Sequence, residues 1–265
     1  MKKIIGALLV GALALLLGSP AGAGVAPGTG VVASSHDLSA NGAYTSGDTL
    51  NRVCIYCHAP HNAYKLSQAN GGPANANIGG GPQASDAFDY LPLWNHTLQA
   101  NTAYSMYYAG PGAPADPNSP HAQQTLGNQV PGSVSLLCLS CHDGSVAVNS
   151  YGNTSQPLNS QGPATKFIGA GYVIGKDQYL GNHHPIGFDY NAVAGIDTNI
   201  VASGTADFGG AGKVKDHLFS SVVTGSTATM ECATCHSVHN KDNTGESFLW
   251  KSDMGSALCL TCHKK

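Results

Sequence analysis

The runs CIYCH (54–58), CLSCH (138–142), CATCH (232–236) and CLTCH (259–263) decide the fold of this chain. Each run places two cysteines three positions apart and puts a histidine directly after the second one. All eight cysteines of the 265-residue chain lie in these four runs. No cysteine is left over, so the chain is organised around whatever the four runs hold.

Cys-x-x-Cys-His is the attachment motif of c-type haem. On one helical turn, the two thiols lie on the same side and form thioethers with the two vinyl groups of one porphyrin, and the histidine becomes the proximal iron ligand. We therefore expect four covalently bound haem c groups. The predicted attachment cysteines are Cys54, Cys57, Cys138, Cys141, Cys232, Cys235, Cys259 and Cys262, and the predicted proximal ligands are His58, His142, His236 and His263.

Three other uses of paired cysteines fit this pattern less well. A structural zinc site also uses Cys-x-x-Cys pairs, but it does not require a histidine directly after every pair. A disulfide framework suits an exported protein, yet its cysteines do not recur only with a trailing histidine. A thioredoxin-like redox pair occurs once, after a strand, and not four times. The motifs favour haem.

The first 23 residues have the pattern of a secretory signal peptide. Lys2 and Lys3 precede an apolar run at 4–18, and the small residues at 21–23 fit a cleavage site. The alternative is a retained anchor, but a membrane span needs ~20 apolar residues. We expect residues 24–265 to form an exported tetrahaem domain with no membrane span after cleavage.

Composition limits the partners of the chain. Without Lys2 and Lys3, 10 basic and 15 acidic residues remain, and haem propionates add negative charge. Nucleic acid is therefore not expected as a partner, because phosphate binding needs clustered Lys and Arg. Charged residues make up only 10% of the chain, against ~25% in typical soluble domains. This scarcity favours burial against other subunits, so we expect redox proteins and further copies of this chain as partners.

The chain contains 34 glycines and 14 prolines, and long helical periodicity is absent. The stretches 69–82, 110–120 and 192–212 are typical of loops. We predict a mostly irregular, loop-rich fold with short α-helices at the haem motifs and few strands. In this fold the polypeptide wraps around four stacked haems, which supply much of the apolar interior.

An internal repeat divides the chain into two two-haem modules, approximately 36–150 and 180–265. Each module has a Cys-x-x-Cys-His-x-x-His-Asn run, then a tryptophan segment, then a second motif preceded by Leu-Cys-Leu. The matching segments are CIYCHAPHN (54–62) and CATCHSVHN (232–240), PLW (92–94) and FLW (248–250), and LCLSCH (137–142) and LCLTCH (258–263).

The sixth iron ligand controls the potential and reactivity of a haem. Twelve histidines minus the four proximal ones leave eight for four haems. Methionine is the other common ligand of this kind, and Met106, Met230 and Met254 are available. Because histidines exceed the demand twofold, we expect bis-histidine iron throughout, with low potentials.

The predicted distal ligands are His36, His61, His184 and His239. His61 and His239 each follow a proximal histidine by three residues, so both can reach the iron of an adjacent haem from the same helical face. His184 is preferred over His183 because Pro185 stiffens the backbone beside it. His96 is a close fifth candidate. His121 and His217 lie in polar, irregular contexts and are predicted to be surface histidines.

Several segments resemble the doubled Cys-x-x-Cys-His multihaem cytochromes of metal-reducing bacteria. These segments are SHDLS, CIYCHAPHN, PLWNHT, LCLSCHDG, NHHPIGFDY, ECATCHSVHN and LCLTCH. The tetrahaem count and the exported, loop-rich chain are similar to the extracellular filament-forming members. This resemblance implies a homopolymer that carries electrons to metal oxides, electrodes or other cells. It also implies that a histidine of one subunit, here His61 or His36, can ligate a haem in the next.

Electron transfer without substrate turnover is the predicted function, with no catalytic residues. The expected location is extracellular or on the outer cell surface. One alternative is a monomeric periplasmic electron carrier. Another is a multihaem reductase with one open haem site. Such an enzyme needs an iron with a free position and often an unusual proximal ligand, whereas all four motifs end in histidine.

Overall fold

A computed structural model describes residues 27–39, 50–72, 82–107, 129–152, 166–241 and 246–264 of the chain. The predicted signal peptide and His121 lie outside these residues, as do most of 69–82 and all of 110–120. In the described residues, no helix is both long enough and apolar enough to cross a membrane.

The helices are short, and each haem motif lies on one of them. In the described chain, the α-helices are α1 (Ser133–His142), α2 (Tyr190–Ile196), α3 (Cys232–Cys235) and α4 (Cys259–Cys262). The 3-10 helices are Val53–Tyr56, Gln68–Asn70, Ala170–Tyr172, Lys176–Gln178, Val214–His217 and Met254–Ser256. Motifs two to four thus end or form an α-helix, while motif one lies on a 3-10 turn.

One small antiparallel sheet is present in the described chain. It contains β1 (Phe188–Asp189), β2 (Phe219–Ser221) and β3 (Ser226–Met230) in the order β1-β3-β2. β3 is central and leads directly into motif three on α3. The sheet therefore fixes where the backbone enters that motif.

The two copies of the repeat share a backbone arrangement after the proximal histidine. The Ala59 N–H donates to the Leu93 carbonyl at 2.9 Å, and the Ser237 N–H donates to the Phe248 carbonyl at 2.9 Å. Leu93 and Phe248 both adopt left-handed backbone angles, with φ of 53° and 63°. The same pair of chain segments therefore meets in the same way in each copy.

The hydrogen bonds donated by the tryptophan segments show that the tryptophan stands one residue later in the second copy than in the first. The Asn95 N–H donates to the Cys57 carbonyl at 2.8 Å, and the Trp250 N–H donates to the Cys235 carbonyl at 3.1 Å. By backbone position, Trp250 corresponds to Asn95 and not to Trp94. The two tryptophan segments are equivalent in the fold, but the two tryptophans are not.

Buried apolar side chains form three clusters, each beside haem motifs. The first packs under α1, the second lies between the sheet, α2 and α4, and the third lies beside motif one. Their buried members are Ala84, Phe88, Trp94, Met106, Leu136, Leu137, Leu139 and Leu180; Phe188, Tyr190, Val193, Ala206, Phe208, Val214, Met230 and Cys262; and Leu38, Tyr56, Val148 and Tyr151.

The predicted loop-rich fold with short helices and few strands is confirmed in the described residues. The stacking of four haems inside this fold stays a prediction.

Candidate haem-binding site

Each motif forms a tight turn that is closed by its own backbone. In three motifs the histidine N–H donates to the carbonyl of the first cysteine, and the second motif ends the longer helix α1. This turn brings two thiols and an imidazole together, as haem attachment needs. The bonds are His58–Cys54 at 2.9 Å, His236–Cys232 at 3.1 Å and His263–Cys259 at 2.9 Å.

No disulfide joins any of the eight cysteines. Burial raises the pKa of Cys57 to about 11 and that of Cys235 to about 12. Both groups are therefore neutral thiols near neutral pH. Paired free thiols on one turn, followed by an imidazole, are the donor set that covalent haem attachment requires, so these residues fit haem c.

Several histidines have a defined tautomer because a backbone carbonyl faces Nδ1. A carbonyl oxygen can only accept, so Nδ1 carries the proton and Nε2 keeps the lone pair that binds a metal. The Nδ1-to-carbonyl distances are 2.7 Å from His58 to Pro92, 3.0 Å from His142 to Tyr172, 3.0 Å from His36 to Val238 and 2.9 Å from His184 to Pro185.

Three proximal histidines each lie about 6 Å, ring centre to ring centre, from another histidine. Two imidazoles that bind one metal ion from opposite sides, at ~2 Å from each nitrogen, have ring centres ~6 Å apart. The three pairs match this spacing although their members are far apart in sequence. The ring-centre distances are 6.2 Å for His142 and His36, 6.1 Å for His58 and His239, and 6.4 Å for His263 and His184.

The pKa values of two of these partner histidines are lowered, which favours the uncharged imidazole. Desolvation is the largest cause that lowers the pKa of His36 and of His239, and neighbouring imidazoles lower it further. Neutral imidazole is the form that ligates iron, because protonation removes the lone pair. The charge state of both side chains thus suits a ligand.

The remaining proximal histidine, His236, has no imidazole at this spacing among the described residues. Its ring hydrogen-bonds to the backbone of Phe248. His61 is exposed on the loop after motif one, and His183 is half-buried beside His184. Within the described chain, neither His61 nor His183 contacts another aromatic or imidazole ring.

His96 and His217 are held by protein carbonyls. The His96 side chain is only 1% exposed, and its Nδ1 and Nε2 lie 2.8 Å and 3.0 Å from the carbonyl oxygens of Thr97 and Ala147. His217, which the sequence predicts to be a surface residue, has intermediate exposure. It is half-buried, bonds Ala211 O at 2.8 Å, and packs 4.5 Å from the Trp250 ring.

The three methionines differ in their surroundings. Met106 and Met230 are buried inside apolar clusters, whereas Met254 is 84% exposed at the start of a 3-10 helix.

The sequence analysis missed a buried carboxylate between motifs two and three. Glu231, directly before Cys232, is 2% exposed. Its oxygens accept hydrogen bonds from the Gly132 N–H at 3.1 Å and from the Ser135 hydroxyl. One signal pointed to it, because Glu231 and Glu246 are the two glutamates in a chain with few charges.

Comparison with known proteins supports one class of site for the C-terminal part of the chain. Residues 225–265 match the family model described as "Doubled CXXCH motif", and this stretch contains motifs three and four. The match supports a multihaem c-type cytochrome that binds haem c covalently and transfers electrons. No curated protein matches the chain.

Proposed function

We propose that this chain is an exported tetrahaem c-type cytochrome with bis-histidine haems, and that it conducts electrons without converting a substrate. The four complete motifs support a count of four haems, one for each pair of cysteines. Haem iron supplies one-electron transfer, and its axial ligands set the potential.

The observation that carries this proposal is the facing of histidines at 6.1–6.4 Å. An iron with two protein ligands has no free position for a substrate. The pairs support His36 as the distal ligand at motif two, His239 at motif one and His184 at motif four. Hydrogen bonds from Nδ1 of His58 and His142 to backbone carbonyls orient these proximal imidazoles and make them more basic.

His61 is the proposed distal ligand of the remaining haem, at motif three. His36 lies opposite His142 of its own chain, whereas the His61 side chain is exposed. His61 is therefore the better candidate to reach a haem of the next subunit in a homopolymer. This arrangement, together with the low charge of the chain, supports an extracellular filament that delivers electrons to metal oxides, electrodes or other redox proteins.

Two other functions stay as alternatives. A monomeric periplasmic electron carrier uses the same haems without the polymer, and then His183 or another histidine of the same chain binds the iron of motif three. A multihaem reductase leaves that iron open. The position of His236 without a facing imidazole in the described chain makes this the haem to examine first.

The first experiment measures the reduced absorption spectrum with and without carbon monoxide, and low-temperature EPR of the oxidised protein. We expect four haems per chain, all low-spin and unchanged by carbon monoxide. A high-spin haem that binds carbon monoxide in the native protein contradicts closed coordination and favours the reductase.

The second experiment separates filament from monomer. Native protein is examined by negative-stain microscopy and by light scattering over a range of concentrations. We expect fibres that persist on dilution. Monodisperse single chains at all concentrations contradict the filament and leave the periplasmic carrier.

A further inference from the structure

A buried polar network joins motif two to motif three. We name it the Glu231 junction and define it by Gly132, Ser135, Glu231 and Thr234. Glu231 is 2% exposed, and the Ser135 and Thr234 side chains are fully buried. Gly132 and Ser135 belong to the start of α1, and Glu231 and Thr234 to the start of α3.

The hydrogen bonds of the junction run in both directions between the two helices. Glu231 accepts from the Gly132 N–H at 3.1 Å and from the Ser135 hydroxyl. The Ser135 oxygen in turn accepts from the Cys232 N–H at 3.0 Å. The Glu231 N–H donates to the Thr234 hydroxyl at 2.9 Å. Free N–H groups at both helix starts thus find partners, which a buried helix end requires.

A larger residue at Gly132 would displace the Glu231 carboxylate from its present position. A Cβ at this position would lie 2.6 Å from the Glu231 carboxylate oxygen Oε1. Glycine therefore permits the direct approach of the carboxylate to the α1 N-terminus.

A second carboxylate, that of Asp89, links the start of α1 to the segment after β2. Asp89 accepts from the Ser133 hydroxyl on α1 and from the Val222 N–H, the latter at 2.8 Å. Val222 directly follows β2. Two acidic side chains thus hold the first turn of α1 against the segment that carries motif three.

The junction lies next to the haem attachment points. Ser135 is three residues before Cys138, which is about one helical turn, and Glu231 directly precedes Cys232. A shift of α1 against α3 therefore moves the first attachment cysteines of two motifs relative to each other.

We propose that Glu231 is a positioning residue that fixes motif two against motif three and so sets electron transfer between the two two-haem modules. This inference rests on the proposed tetrahaem function. Glu231 acts through the backbone and side chains of α1 and α3, and it does not touch a reacting atom. Removing the carboxylate leaves the buried Gly132 N–H and Ser135 hydroxyl without their acceptor, which favours opening of the junction.

The test uses the full-length, haem-loaded protein with four variants. Glu231→Ala removes the acceptor, and Ser135→Ala removes the hydroxyl that links Glu231 to the Cys232 amide. Glu231→Gln keeps the size and one carbonyl acceptor, so it is the conservative rescue. Glu246→Gln is the matched control at the other glutamate, which is exposed.

Four quantities are measured: haem content, exciton coupling in the Soret circular dichroism, the rate of electron equilibration between haems after rapid reduction, and hydrogen exchange at the Cys232 amide. Hydrogen exchange at the Cys232 amide reports opening of the junction. For Glu231→Ala and Ser135→Ala, we expect unchanged haem content, lower exciton amplitude and slower equilibration. Exchange at Cys232 should be faster by about tenfold or more. Glu231→Gln and Glu246→Gln should stay near wild type in exciton amplitude and equilibration rate.

The results distinguish a failure of the proposed tetrahaem function from a failure of the role proposed for Glu231. Wild-type protein with fewer than four haems contradicts the proposed function itself. Wild-type protein with four haems, together with alanine variants whose coupling and equilibration are unchanged, overturns the role of Glu231. If Glu231→Ala does not fold, Ser135→Ala decides, because it removes only one hydroxyl.

Discussion

The two copies of the repeat hold their proximal histidines with the same backbone but surround them with different side chains. In the first copy, Trp94 is 8% exposed inside an apolar cluster. In the second, Trp250 is half-buried, donates from Nε1 to the Ala233 carbonyl at 2.9 Å, and packs on His217. What the repeat preserves is the turn that holds the motif. The neighbouring side chains have diverged.

A second contrast lies three residues after each proximal histidine. His239 of the second copy has its ring centre 6.1 Å from that of His58 of the first, whereas the equivalent His61 has no such ring partner in the described chain, although both side chains are exposed. Equivalent positions in a repeat therefore have different partners, because each copy meets a different surrounding chain.

The largest expected effect follows from this contrast. His239→Ala should create one high-spin haem that binds carbon monoxide, because it removes the imidazole facing His58. His61→Ala in the assembled protein should open a different haem, and the double variant should open two. His217→Ala is the control, since its Nε2 is engaged by the Ala211 carbonyl. A His239→Ala protein that is indifferent to carbon monoxide would break the assignment.

The two copies have separate apolar clusters, and their stability can be compared directly. Phe88 is 1% exposed in the cluster under α1, and Phe208 is 2% exposed in the cluster at the sheet. We expect Phe88→Ala and Phe208→Ala each to lower the free energy of unfolding by ~3–5 kcal/mol. Urea denaturation followed by far-UV circular dichroism measures both. Because the Glu231 junction connects the two clusters, each variant should unfold in a single transition at a lower urea concentration than wild type. Two separate unfolding transitions would contradict that connection.

The pH dependence of stability tests the region between the copies. Burial raises the pKa of Glu231 to about 8 from an ordinary value of 4.5, although hydrogen bonds from Ser135 and Gly132 oppose this. Between these pH values the folded protein holds a proton that the unfolded chain releases. The contribution of Glu231 is therefore fully present below about pH 4.5 and is lost as the pH rises toward about 8.

Glu231→Gln should flatten this pH dependence, with an effect on the order of a few kcal/mol across the window. The measurement is the free energy of unfolding at several pH values for wild type, Glu231→Gln and Glu246→Gln. Equal slopes in wild type and Glu231→Gln would exclude the raised pKa.

The smallest effect concerns the asparagine that ends each Cys-His-x-x-His-Asn run. Asn62 and Asn240 both have positive φ, 61° and 48°, where glycine is favoured. Asn62 is exposed, but Asn240 is fully buried and accepts from the Phe248 N–H at 3.1 Å. Asn62→Gly should change stability by less than ~1 kcal/mol, and Asn240→Gly should lower it by ~1 kcal/mol or more. Thermal denaturation compares them, and equal losses would contradict the difference in environment.

Much of the fold follows from local sequence. The motif turns form because each first cysteine carbonyl meets the histidine amide four residues later. The loop-rich character follows from 34 glycines and 14 prolines, which interrupt regular structure. These features depend on neighbours in the chain, so a sequence is enough to predict them.

The sequence does not distinguish the histidines that are candidates for distal iron ligands from the other histidines. His96 and His217 have the same donor chemistry as His36, and only long-range packing distinguishes them. The Ala147 carbonyl that occupies Nε2 of His96 reaches it from a distant segment. Glu231 was also not predicted, because its burial depends on contact with α1, which lies about a hundred residues earlier in the chain.

The sequence by itself determined the chemistry of this protein: eight thiols paired on turns, each pair followed by an imidazole, in a chain poor in charge. These properties are local and depend on residue type and spacing. The tertiary structure alone decided which histidines face each other and how motif two is held against motif three. Those contacts join segments that are distant in sequence, and packing selects them from many chemically equivalent options.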